Sequence, residues 1–233
     1  MGRRRSSRPA PTDSRRRGST RFWVLSILAG CVTAAILLLP LSRGGAREAA
    51  RRTQCGDHLR EIGLALRAYV DVHGSLPPLA PVDADGRPGG SWREALLPYL
   101  DDAAKAAPAG GAPEVFHCPS AGVPAGMTTY HLVVSPDGLV QRDGVTSAET
   151  LAAAAPDTLL VLDVPAEFAV PWASPLDAAL EALLSGRRGR HPGILMGLFA
   201  DGHVAAIGLD ALSPEARRAL VTPQADSPPE SGD

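Results

Sequence analysis

From Phe22 to Leu41 the chain reads FWVLSILAGCVTAAILLLPL, twenty residues without a charge. Twenty residues of helix rise about 30 Å, the thickness of a bilayer's hydrocarbon core, so the pattern predicts a transmembrane helix over 22–41. Phe22 and Trp23 stand at its entry, where aromatic rings favour the headgroup zone. A buried helix of a soluble protein would ordinarily carry a polar stripe, which this stretch lacks. Beyond Gly44-Gly45 the pattern changes. Leu59, Ile62, Leu66 and Tyr69 recur at helical spacing, while Arg51, Arg52, Asp57, Arg60, Glu61 and Arg67 occupy the other positions. That periodicity predicts an amphipathic helix over 46–72, ended by Gly74 and Pro77-Pro78.

The rest of the chain reads as short elements separated by loops. Residues 79–91 are a Pro/Gly/Asp loop, Ser91 caps a short helix reaching 97–100, and 101–114 is an Ala/Gly/Pro linker. Short strands are predicted near 115–117, 129–134 and 138–141, and a stronger one at 158–164 (TLLVLDV). A helix near 176–185 precedes a hairpin, 194–199 with 203–207, turning on Ala200-Asp201-Gly202. Ser213-Pro214 opens a closing helix, and 222–233 reads as a disordered tail. The fold class is α+β: one long helix, a small antiparallel sheet and long loops, in a single domain over 42–221.

Composition fits that picture, since aromatics are only 4% while Gly numbers 24 and Pro 22. The formal charge of −2 hides an asymmetry. Residues 1–21 hold eight arginines against Asp13 alone, so the head is strongly basic and the remainder acidic. An excess of arginine before the span keeps the N-terminus in the cytoplasm. The 1–21 tail is then a disordered cytoplasmic segment near anionic lipid, and 42–233 faces the periplasm or the outside. This describes a single-pass inner-membrane protein. The alternative is a cleaved secretory signal ending at Gly44-Gly45-Ala46. No nucleic-acid-binding fold or aromatic platform accompanies the basic head.

The candidate chemistry is sparse. Cys31 falls inside the span. Cys55 and Cys118 share the exported side, which permits a disulfide between them; the alternative is two free buried thiols. Six histidines stand at 58, 73, 117, 131, 191 and 203, none at metal-motif spacing. A divalent ion at His191, Asp201 and His203 competes with the plainer reading of a turn aspartate flanked by surface imidazoles. Ser120 has no local base, and neither a nucleophile elbow nor a phosphate-cradling loop is present. No catalytic, cofactor-binding or metal residue is therefore assigned, and the domain reads as non-enzymatic. Trp92 and Trp172 lie among prolines, either as rigid exposed indoles for a partner or as packing under loops.

The segments LLLPLSRGGAREAARRTQC (37–55), HLREIGLALRAYVDVHGSLPP (58–78), SWREALLPYL (91–100), FHCPS (116–120), VPWASPLD (170–177) and LSPEARRAL (212–220) carry a resemblance. They resemble a large bacterial family of unknown function, abundant in planctomycetes, that is pseudopilin-like. Some of its members are labelled transporters or solute-binding proteins. His191, nine residues and Asp201-Gly202 match its C-terminal signature. The resemblance implies a pilin-like fold, a long N-terminal helix on an antiparallel sheet. It also implies a scaffold or interaction role beside a type II secretion-like envelope system, with a solute-binding or transport-accessory module as the alternative. The front departs from the family. Gly18 and Thr20 align with its prepilin cleavage site, but Arg21 replaces an apolar residue and Trp23 the glutamate. An unprocessed anchor and no pilin-type polymerisation are expected.

Overall fold

The computed structural model describes residues 16–81, 89–107, 111–142, 144–189, 191 and 193–223, with only the backbone described for 16–21 and 35–44. Two units divide the chain, Met1–Arg47 and Glu48–Asp233. Helix α1 covers Arg16–His73. In the first unit the large apolar side chains from Phe22 to Val32 are exposed, at 51–69%. Among the described residues no helix is long and apolar enough to cross a membrane. The span expected over 22–41 has described side chains only for 22–34. Of the 1–21 tail, residues 1–15 lie outside the described residues, and so does 224–233 of the C-terminal tail. Gly18 and Thr20 belong to the backbone of α1, and their side chains are likewise outside.

The second unit is α+β. After α1 come α2 (Trp92–Ala95), α3 (Asp102–Lys105), β1 (Met127–Thr128), β2 (Tyr130–Leu132), α4 (Ala148–Ala153) and β3 (Leu159–Asp163). Then follow β4 (Val170–Pro171), α5 (Ala179–Ser185), β5 (Ile194–Phe199), β6 (Val204–Gly208) and α6 (Pro214–Ala219). An antiparallel sheet runs in the order β2-β3-β5-β6, and β1 pairs with β4 separately. The apolar stripe of α1 is buried at Leu59, Ile62 and Leu66, against Leu132, Val161, Met196 and Leu198 of the sheet. The opposite sheet face, with Leu159, Leu162, Leu195, Phe199 and Ile207, packs on Ala179, Ala182 and Leu183 of α5. Because both faces are covered, β3 is a continuous apolar run rather than an alternating one.

Small residues let the layers close. A Cβ on Gly63 of α1 would stand 3.0 Å from a Leu198 methyl, and one on Gly197 of β5 only 2.5 Å from a Leu159 methyl. At the start of α2 the Glu94 carboxylate accepts the Ser91 N–H at 2.9 Å while the Ser91 hydroxyl donates to the Trp172 carbonyl, and Ser213 caps α6 with Pro214 following.

Two expected strands are corrected. Residues 114–116 form a 3-10 turn entered through Pro113 that buries Val115 and Phe116, with no strand pairing to them among the described residues. Residues 138–141 make a single bridge, Val140 to Val134, and the Leu139 carbonyl is taken by the Thr146 hydroxyl at 2.6 Å.

Candidate functional site

Period-two alternation places Val161 and Asp163 of β3 on the sheet face that meets α1. On α1, Cys55 precedes Leu59 and Ile62 on the buried stripe, and Glu48 lies two turns earlier on the same side. Cys118 comes from the loop after the 114–116 turn, and His191 from the loop that enters β5. These four positions converge. One donor atom from each of Cys55, Cys118, Asp163 and His191 lies within 4.8 Å of all the others, and all four residues are buried.

The details fix how the donors point. His191 directs Nδ1 to Glu48 Oε1 at 2.8 Å, which leaves Nε2 facing Cys118 Sγ at 3.8 Å and Asp163 Oδ2 at 3.7 Å. Asp163 accepts from the Thr129 hydroxyl through its other oxygen at 2.6 Å. Glu48 also accepts from the Ser120 hydroxyl at 3.1 Å and pairs with the Arg51 guanidinium. The Tyr130 hydroxyl is fully buried here without a hydrogen-bond partner. Both cysteines are free thiols in this structure.

The electrostatics are those of a tightly coupled cluster. The two thiols titrate as a pair: their mutual interaction lowers the first proton loss, placed on Cys55, and together with desolvation pushes the second, on Cys118, up. Burial alone would lower His191, but Asp163, Cys55 and Glu48 outweigh it and raise it to about 10. Burial pushes Glu48 upward, and hydrogen bonds from Arg51, His191 and Ser120 more than reverse that, so it sits below the usual carboxylate range. Thiolate, imidazole and carboxylate are donors that borderline transition metals take. His191 itself is 2% exposed.

A second buried cluster organises the loops. Arg93 donates to the Tyr130 carbonyl at 3.0 and 2.7 Å, to the Ser174 carbonyl at 3.0 Å and to Asp177 Oδ1 at 2.6 Å. The Trp92 indole N–H donates to Asp177 Oδ2 at 3.0 Å. Removing one partner of such a buried pair typically costs about 3–5 kcal/mol, because the other charge stays buried and uncompensated. This cluster places both tryptophans. Trp92 is fully buried edge-on to Phe116, so it offers no surface to a partner, and half-buried Trp172 stacks on Phe116.

The remaining sequence candidates fall elsewhere. Trp23 is exposed on the first unit. Asp201 and Gly202 form the β5–β6 turn: Asp201 Oδ1 accepts from the His203 backbone N–H at 2.9 Å, and Gly202 takes φ +93°, which favours glycine. His191 and Asp201 thus stand at opposite ends of β5 and share no site, so the trio with His203 is not assembled. Sequence reasoning missed Glu48, Thr129, Asp163, Arg93 and Asp177. One signal was available: Asp163 is an acid closing an otherwise apolar strand, a position that demands a partner.

Residues 45–158, just under half of the chain, match a family described as "Protein of unknown function (DUF1559)", whose short name is SBP_bac_10. No curated protein and no solved structure matches the chain.

Proposed function

We propose that this chain is a single-pass, membrane-anchored, pseudopilin-like protein of the DUF1559 type, whose second unit is a non-catalytic interaction and scaffold domain. The observation that carries the reading is the first unit's helix, apolar and exposed from Phe22 to Val32, within an uncharged run that continues to Leu41. The packing of an amphipathic α1 stripe on an antiparallel sheet supports the pilin-like comparison, and the burial of Cys55, Cys118 and His191 supports a non-enzymatic domain. Arginines before the run put the N-terminus in the cytoplasm and the domain outside. Envelope or secretion-type proteins are the proposed partners.

The test is carbonate extraction of membranes carrying the full chain, with N-terminal sequencing of the extracted protein and crosslinking in place. The expected result is a carbonate-resistant chain with an intact Arg-rich head, crosslinked to envelope-machine components. A carbonate-soluble chain, or one beginning near Ala46, would refute the anchor.

A second reading, solute binding, is favoured by the family's short name and by a groove of about 500 Å³ between α1, α4 and the β5–β6 turn. Arg67, Asp71 and Asp201 give it a polar mouth. A saturable rise in melting temperature with an amino acid or sugar, lost in Arg67→Ala, would favour this reading over the first.

A further inference from the structure

We propose that Cys55, Cys118, Asp163 and His191 form a structural zinc site that staples α1 to the sheet and to the two loops carrying Cys118 and His191. The geometry carries this. Four donors from four separate places in the chain converge, each side chain buried, with their ligating atoms mutually within 4.8 Å. One edge is a long sulfur–imidazole contact of 3.8 Å, and the other, 3.7 Å from that nitrogen to the carboxylate oxygen, is too long for a direct hydrogen bond. A tetrahedron built on ordinary zinc bond lengths has a sulfur–nitrogen edge of about 3.5 Å and a nitrogen–oxygen edge of about 3.3 Å, so both would contract by a few tenths of an ångström on closing around the ion. A cavity of about 10 Å³ adjoins Cys118, Asp163 and His191 on the side away from Cys55, where Val164 and Leu195 complete its wall.

The surrounding residues complete the design of a metal centre. His191 is oriented by Glu48 through Nδ1, the carboxylate–histidine arrangement that aims Nε2 at a metal. Asp163 is oriented by Thr129 through the oxygen it does not offer to the site. The buried, unpartnered Tyr130 hydroxyl is a donor available to a metal-bound thiolate. Two sulfurs, one imidazole and one carboxylate select zinc over hard cations, which prefer oxygen alone. Four protein donors close the coordination sphere, so the role is structural rather than catalytic. On binding, both cysteines coordinate as thiolates and His191 as neutral imidazole, and the protons they held leave to solvent. The metal also competes with a Cys55–Cys118 disulfide, since either consumes both thiols. None of this depends on the membrane anchor.

The test uses the full chain, purified in detergent without chelator. Elemental analysis should find about one zinc per chain. Replacement by cobalt(II) should give the thiolate charge-transfer and ligand-field bands of a tetrahedral site. His191→Gln and Asp163→Asn should abolish stoichiometric binding, while His203→Ala, remote on the β5–β6 turn, should keep it. Glu48→Gln acts through His191 as a positioning change: it should weaken zinc affinity about 10–100-fold while the tetrahedral cobalt spectrum persists. If the ligand variants fail to fold, the native protein still decides through its cobalt spectrum and its metal content. Background metal, with both thiols open to alkylation or joined as a disulfide, overturns the proposal. So does a cobalt spectrum lacking thiolate bands.

Discussion

His131 shows how a single buried side chain sets a pH response. It lies in β2 with no exposed surface, and its Nδ1 accepts the Ala178 backbone N–H at 2.9 Å, a role open only to the neutral ring. Burial, and then the charge of Arg93, pull it down to about 3. Below its ordinary value of 6.5 the unfolded chain therefore binds a proton that the folded protein refuses. Stability from this group is complete above 6.5 and is lost as pH falls toward 3, by up to about 1.4 kcal/mol per pH unit. Asp177 titrates in an overlapping window with the opposite sign: burial, against the pull of Arg93, Trp92 and Leu132, pushes it up to about 6. His131→Asn keeps an acceptor for Ala178 and removes only the imidazole's titration. Urea denaturation of both proteins should show the variant gaining on the parent at each step down from about pH 7 to about pH 4. A difference that stays constant with pH would exclude His131 as the origin. Nothing in the local sequence reveals this histidine's role, because its neighbours Arg93 and Ala178 come from other segments.

Elements meet through glycines, and two of these make a contrast. A methyl at Gly197 would lie 2.5 Å from Leu159 Cδ1 and 2.9 Å from Ile207 Cδ1, so two buried side chains on flanking strands would have to shift at once. Gly197→Ala should cost about 1–3 kcal/mol by overpacking. At Gly63 the nearest atoms are the two methyls of Leu198, at 3.0 and 3.4 Å, the far end of one side chain. Alanine in mid-helix recovers about 1 kcal/mol of helix propensity, which offsets a small shift of Leu198. Gly63→Ala should therefore stay within about 1 kcal/mol of the parent. Thermal unfolding of the pair decides; equal losses would mean that the α1–sheet contact is as tight as the sheet itself. At this scale the sequence was most readable. The stripe of α1, the apolar run of β3, the Asp201-Gly202 hairpin and the Ser213 cap are signals that lie within a dozen residues. The 114–116 turn defeated the same reading because burial of Val115 and Phe116 needs a neighbour, not a strand.

The whole molecule is where local pattern stops informing. Cys55, Cys118, Asp163 and His191 lie on four different elements or loops, so no spacing rule links them, and only the packing of α1 on the sheet brings them together. The same long-range logic divides the chain. Every buried apolar residue among those described lies at Cys55 or beyond, and the second unit begins at Glu48. A chain starting at Ala46 keeps that core together with Glu48 and Arg51, the residues that hold His191 and Ser120 from α1. It should unfold cooperatively within about 2 °C of the full chain, because no contact of the second unit's core is removed. Starting at Thr53 instead deletes Glu48 and Arg51 but keeps Cys55. His191 Nδ1 and the Ser120 hydroxyl then lose their acceptor, a loss of about 1–3 kcal/mol that should lower Tm by roughly 2–10 °C. Calorimetry on the three chains separates the possibilities. If the Ala46 chain lacks a cooperative transition, the first unit is part of the fold and the division at residue 48 is wrong. If the Thr53 chain matches the Ala46 chain, Glu48 does not hold His191 in place, and the orientation of the four-donor cluster must come from the sheet side alone.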